Sequence, residues 1–315
     1  QLYLLRTFPA RFIASYCKLS LFEPHKRFKM LFMLISFLSF LYKIAAKPIL
    51  FLFDAESIHN LITFLAELLG KSGLIKSSLN RFFGQSSPVL RQKIAGIDFY
   101  SPIGLAAGFD YEARLTQILP GLGFGFETVG TITNLAYKGN PRPRLGRLPK
   151  SKSLMVYKGF KNRGAQIIST KLSNLSFDAP LGVSIGKSNS KKVRTQKFAI
   201  EDILSAFIIF ENSNTKNTYY EINISCPNLF GNVSFYLSQN LGELLSAIDG
   251  LKLKKPLFVK MPIELSDSQT LKLLDIVVKH AVKGVIFGNL QKNRKDPAFD
   301  PKEVSNFKNG NFSGL

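Results

Sequence analysis

Four side chains able to bind or react fall close together in the stretch YYEINISCPN, residues 219–228: Asn223, Ser225, Cys226 and Asn228. Amides offer both donors and acceptors. A free thiol ionises near pH ~8.5, and a neighbouring cation brings it into the range where a general base works best. The plainer alternative is a polar turn in which Cys226 is only a small buried residue. Tyr219, Tyr220, Ile222 and Ile224 favour a strand. Pro227 cannot donate a ladder hydrogen bond and ends it. The reactive cluster therefore belongs at the C-terminal tip of a strand.

The elements that must position this tip recur along the chain. Strands are predicted at 103–108, 126–131, 181–186, 219–225, 256–261 and 284–289, with helices between them over 201–210, 241–251 and 266–280. Apolar strands alternating with helices read as parallel βα units. Six in succession predict a (β/α)8 barrel with six of its eight strands present, and such barrels carry their chemistry at the strands' C-terminal ends. GLGFGF (121–126) precedes a strand and lacks the G-x-G-x-x-G spacing, so it reads as a tight helix-to-strand turn instead of a dinucleotide loop.

Residues 1–88 have a different character. LFMLISFLSFLY (31–42) is an apolar run of 12 residues, too short for a spanning helix of about 20. Beyond Lys43 and Lys47, Asp54 or Ser57 can cap a helix with apolar residues at Ile58, Leu61, Ile62, Leu65 and Leu69. Greasy helices flanked by lysines suit an interfacial hairpin on a membrane, or a helical pair packed on its own domain. The Ser/Gly-rich connection near residue 88 divides this extension from the barrel, 89–315.

Composition sets further bounds. The 315 residues are 45% hydrophobic, enough for a sizeable core. Cys17 and Cys226 give no disulfide framework, and His25, His59 and His280 form no metal spacing. Lys and Arg number 42 against 21 acids, and residues 128–177 contain no acid. That balance points to an anionic partner, nucleic acid or an acidic membrane surface, or simply to many solvated lysines. Basic repeats interleaved with aromatics, which would stack bases, are missing.

The phrases SPIGLAAGFD, GFGFETVGTIT, GNPRPRLGRLP, LGVSIGK, INISCPN, LFVKM, GVIFGN and the final SGL resemble, in order and spacing, the dihydroorotate dehydrogenase family over about residues 40–315. LYKIAAKPILFLFDAESIHNL is similar to the helical extension of its class 2, membrane-associated, quinone-using branch. The resemblance implies an FMN enzyme that oxidises dihydroorotate to orotate and passes electrons to a quinone. It implies a peripheral protein on the cytoplasmic face of an anionic membrane, with no nucleic-acid partner. By position it makes Cys226 the catalytic base and gives Asn223, Asn228 and Asn289 to the substrate. Ala106, Ala107, Gly108, Thr131, Ser184, Asn223, Lys260, Ser313 and Gly314 fall to FMN, Lys260 facing the charge of the reduced flavin. His59 and Arg147 line the quinone tunnel.

Several positions depart from the family's pattern. Cys226 stands where class 2 enzymes usually carry serine, cysteine being the habit of the soluble class 1 enzymes. Tyr111 replaces a lysine near the flavin, Val156 or Tyr157 falls where an asparagine meets the substrate, and Ser184 replaces another asparagine. A start at Met30 or Met33 and two further βα units beyond Leu315 are expected. Two rivals remain: a truncated, non-catalytic peripheral membrane protein, and a tRNA dihydrouridine synthase. The latter's Asn-x-Gly-Cys-Pro differs from NISCPN.

Overall fold

The computed structural model describes residues 26–84, 88–225 and 234–313, with Lys26–Phe32 as backbone only. The chain forms two compact units, divided after Asp54. In the first, helix α1 (Lys26–Leu41) runs through a π-helical turn (Tyr42–Ala46) into α2 (Lys47–Phe51). Pro48, which lacks an amide hydrogen, stands near the start of α2, two residues beyond the end of the widened turn. The helix thus continues past Lys43 and Lys47. Met33–Phe51, 19 residues of mean hydropathy 1.6 with none buried, is long and apolar enough to cross a membrane. This corrects the expectation of a run limited to 31–42.

The second unit opens with α3 (Ala55–Gly70), starting directly after Asp54, and α4 (Gly73–Phe83), whose first turn is capped by Ser72 Oγ accepting from Ile75 N. A hairpin of β1 (Gln92–Ile94) and β2 (Ile97–Phe99) follows. Six strands then form one parallel sheet: β3 (Gly104–Leu105), β4 (Phe126–Ile132), β7 (Leu181–Ile185), β8 (Tyr219–Asn223), β9 (Leu257–Met261) and β10 (Val282–Phe287). Each strand pairs with the next of the six in chain order, the pattern of a (β/α)8-type barrel, here an open, curled sheet edged by β3 and β10. All six match the predicted strands. GLGFGF is the turn expected: a short 3-10 segment, Pro120–Leu122, and Gly123 at φ +89° lead into β4.

Helices α5 (Ala165–Ser173), α6 (Gln196–Asn212), α7 (Ser238–Gly250) and α8 (Asp267–Val277) alternate with these strands. Their apolar faces, with Ile168, Phe207, Leu244 and Leu273, join Val129, Val183, Ile222 and Val259 of the sheet in one buried core. The other face of the strands turns Thr131, Ser184, Glu221, Asn223 and Lys260 towards the strand ends that matter for chemistry.

A second sheet has no counterpart in the sequence reading. Strands β5 (Leu145–Leu148), β6 (Ser153–Val156) and β11 (Asn311–Ser313) pair antiparallel around Leu148, Met155 and Phe312, which pack with Phe299 and Val304. The short helix α9 (Pro301–Ser305) completes this small layer. Each of its strands has three or four residues, too few for a readable alternation.

Candidate active site

Strand register puts the polar residues of the sheet side by side. Ser184 pairs with Glu221 across β7 and β8, and Asn223 pairs with Lys260 across β8 and β9. Ile286 of β10 also lies opposite Lys260. These positions share one end of the parallel sheet, where four side chains are hydrogen-bonded in series. Asn223 Nδ2 donates to Thr131 Oγ1 at 2.8 Å; Thr131 Oγ1 and Ser184 Oγ are 3.0 Å apart; Ser184 Oγ donates to Glu221 Oε1 at 2.6 Å. Thr131, Ser184 and Glu221 are buried. Burial raises the Glu221 pKa above the ordinary carboxylate value, while the charge on Lys260 and the Ser184 hydroxyl oppose that rise.

Ser225 ties this series to the far edge of the sheet. Its amide and hydroxyl both donate to Asn223 Oδ1, at 3.1 and 2.9 Å. Its carbonyl accepts from Tyr236 Oη at 2.9 Å and from Asn289 Nδ2 at 2.6 Å. Asn289 Oδ1 in turn accepts from Leu290 N at 2.8 Å. Both amides are held in one orientation, and each keeps a second N–H that no described residue accepts. Thr131, Ser184, Asn223, Lys260 and Asn289 are thus brought to one place. Cys226, Asn228 and Gly314 lie outside the described residues.

The segment after β3 borders the same sheet end. Ala106 and Gly108 are exposed and Ala107 is half-buried. Gly108, at φ +113°, donates its N–H to Gly130 O at 2.7 Å, and nothing stands within 4 Å of where a Cβ would be. Gly130, at φ +111°, donates to Asp110 O, and a Cβ there would strike Ser184 O at 2.6 Å. Asp110 closes the following turn, accepting from Arg114 N and Leu115 N. The result is backbone with little side-chain bulk, open on one side. Ser313 lies in β11, where its carbonyl accepts from Ser153 Oγ at 2.6 Å, and its neighbour Phe312 is bridged to Gln291, two residues beyond Asn289.

His59 belongs to a second cluster, where α3 packs against β5, the strand that carries Arg147. Glu56, 1% exposed, fastens the two: Arg144 Nε and Lys161 Nζ each lie 2.9 Å from its carboxylate. Burial raises the Glu56 pKa, but hydrogen bonds from Lys161 and Arg144 outweigh it, and the carboxyl sits below its ordinary value. One turn along, the His59 ring stacks on Tyr111 with centroids 5.6 Å apart and meets Phe109 edge-on at 4.8 Å. Desolvation and then the charge of Lys158 lower the His59 pKa to about 4, so the ring is neutral. Tyr111 Oη donates to Asn60 Oδ1 at 3.0 Å. Arg147 stands on β5 opposite Leu154 of β6.

Sequence reading missed Glu221, Glu56 and Lys158. Glu221 was legible as an acid inside an otherwise apolar strand. Glu56 precedes His59 by three residues and so shares its helix face. Nothing in MVYKGFKN separates Lys158 from an ordinary surface lysine.

The model of the family described as dihydroorotate dehydrogenase matches residues 89–315. A relative named dihydroorotate dehydrogenase (quinone) from Gloeobacter violaceus is 35% identical over 269 residues, 84% of this chain and 73% of the relative. One of the same name from Mycobacterium sp. (strain KMS) is 32% identical over 250 residues, 79% of this chain and 68% of the relative. The fold is similar to the crystal structure of DHODH from Eimeria tenella in complex with ferulenol. The TM-score is 0.71 at 26% identity, over 83% of this chain and 73% of that one.

Proposed function

Since this chain belongs to the dihydroorotate dehydrogenase family, we propose that it oxidises dihydroorotate to orotate with FMN as cofactor and a membrane quinone as electron acceptor, a step of pyrimidine biosynthesis. The observation that carries this reading is the hydrogen-bonded series Asn223–Thr131–Ser184–Glu221 beside Lys260 and Asn289, at the C-terminal ends of adjacent parallel strands.

The residues present fit FMN. The unencumbered backbone of Ala106, Ala107 and Gly108 suits a flat ring, Asn223 and Lys260 supply donors along its edge, and Thr131 and Ser184 border it with their hydrogens already engaged within the series. Flavin, when bound, supplies reversible two-electron oxidation. This chain's residues bind and orient. The spare N–H groups of Asn223 and Asn289 face a ligand with carbonyl oxygens, and each such buried bond is worth about 1–3 kcal/mol when its loss strands a partner. Lys260 keeps a positive charge next to the site where electron density accumulates. Cys226, directly after the anchored Ser225, takes the substrate's proton as thiolate. Ser313 and Gly314 are assigned to FMN, and Asn228 to the substrate, by resemblance alone.

Peripheral attachment to an anionic membrane on its cytoplasmic face is part of the same proposal. It is supported by the exposed Leu61, Ile62, Leu65, Leu68 and Leu69 of α3, the apolar helix Met33–Phe51, and a formal charge of +21. His59 and Arg147 are assigned to the quinone side.

Anaerobic mixing tests the reading. Dihydroorotate should bleach the yellow absorbance of the FMN-loaded chain, and a water-soluble quinone should restore it. Cys226→Ala should slow the bleaching by about 10²–10⁴-fold. An FMN-loaded chain that keeps its absorbance in dihydroorotate would overturn the proposal.

A further inference from the structure

Lys158 is a buried ammonium without a carboxylate. Its side chain belongs to a residue 8% exposed, and its Nζ lies 4.2 Å from the centre of the Tyr111 ring. No described residue forms a salt bridge or side-chain hydrogen bond with it. The surrounding charges are already committed. Glu56 is held by Arg144 and Lys161 at 2.9 Å each, and Glu112 by Arg114 at 2.8 Å. A desolvated cation left in this condition is costly. A ring face returns only part of that cost.

The groups beside Lys158 define what could complete it. Tyr111 stacks on the neutral ring of His59, and His59 meets Phe109, which is half exposed. Three aromatic rings and the Lys158 ammonium form a corner bordered by the ion pairs of Glu56 and Glu112. A planar, conjugated molecule with a carbonyl oxygen that becomes electron-rich matches both parts. Acidic ligands of aliphatic type match only the ammonium, and hydrocarbons only the rings.

We propose that Lys158 is an acceptor-binding residue, its ammonium donating to a carbonyl oxygen of the quinone that lies in the Phe109–His59–Tyr111 corner. This rests on the reading of the chain as quinone-dependent, and adds to it the residue that engages the acceptor. The ammonium's charge attracts an anionic ring oxygen more strongly than a neutral one, so it favours ring oxygens that have gained electron density. Desolvation lowers the Lys158 pKa to about 8, so the contribution is full below that pH and fades as pH rises through it. The titratable and charged groups facing it are Glu56 and His59 from α3, Tyr111, Glu112 and Arg114 after β3, and Arg144 and Lys161 from the β5–β6 region.

Calorimetric titration of the full chain with two naphthoquinones tests this without turnover. 2-Hydroxy-1,4-naphthoquinone is an anion at pH 7, and 2-methyl-1,4-naphthoquinone is neutral. Lys158→Met should weaken the anion by about 10-fold or more, the worth of a charge-assisted bond, and the neutral ring by much less. Lys158→Arg should restore most of the difference, which also guards against a variant that merely misfolds. Raising the pH from 7 to 9 should weaken the anion in the wild type but not in Lys158→Met. Equal losses for both probes, or no loss for either, would overturn the role of Lys158 alone. A wild-type chain that binds neither probe would overturn it together with the acceptor site, while leaving flavin bleaching by dihydroorotate as an independent result.

Discussion

At the scale of single residues, the chain holds two kinds of buried acid. Glu56 is fully engaged by cations, whereas no described residue forms a salt bridge with Glu127, at the start of β4, and the charged group that acts on it most is another carboxyl, Asp110. Burial pushes the Glu127 pKa well up, and the charge of Asp110 adds to the rise. A carboxyl whose folded pKa is raised supports folding fully only below the unfolded value of about 4.3, and that support is lost as pH rises. Glu127→Leu should therefore stabilise the protein at pH 7, by about 1–3 kcal/mol. The gain should be smaller at pH 4.5, as read from urea unfolding at the two pH values. The sequence made Asn223, Ser225 and Asn289 legible because polar residues at strand tips stand out. It could not reveal Glu127, since an acid at a strand's second position looks solvent-facing until the packing of Thr116 and Leu119 beside it is known.

At the scale of elements, the six parallel strands were readable from their apolar runs and the intervening helix periodicity. The antiparallel layer of β5, β6 and β11 was not, because its partners are about 150 residues apart and each strand is short. For α3 the periodicity was clear but its meaning was open, since an apolar stripe fits either a core or a lipid boundary. Leu61 is 48% exposed and Leu68 45%, so the stripe is not spent on the helix's own unit. An environment-sensitive dye on Leu68→Cys, in a Cys17→Ser, Cys226→Ser background, should shift to the blue when phosphatidylglycerol vesicles are added. The same dye on Leu271→Cys of α8 should not. Equal behaviour at the two positions would count against insertion of α3.

At the scale of the whole molecule, acid should unfold this protein in two stages with different origins. His59, with its pKa lowered to about 4 mainly by desolvation, takes up protons more readily unfolded than folded. Stability should fall as pH drops from the unfolded histidine value of about 6.5 towards 4. Glu56, also depressed, contributes its loss only lower, below the unfolded carboxylate value of about 4.3. His59→Gln should flatten the first stage and leave the second, as measured by thermal unfolding across pH 4–7. A wild-type curve that is flat from pH 6.5 to 5 would contradict this origin. The barrel class was visible from the order of strands, but the coupling of α3 to β5 through Glu56 was not, because it depends on side chains 88 and 105 residues away.

The series from Asn223 to Glu221 has an orientation as well as a geometry. Both donors of Ser225 fix the Asn223 oxygen, so the amide nitrogen must face Thr131. That nitrogen only donates. Thr131 then spends its hydrogen on Ser184, and Ser184 spends its own on Glu221, as the one ordering that leaves no hydroxyl hydrogen idle. Ice and many hydroxyl chains can run in either sense and retain residual entropy for that reason. Here the degeneracy is removed at one end by the residue that precedes Cys226. Any proton carried by Glu221 is confined to Oε2, a single protonation isomer set three side chains away.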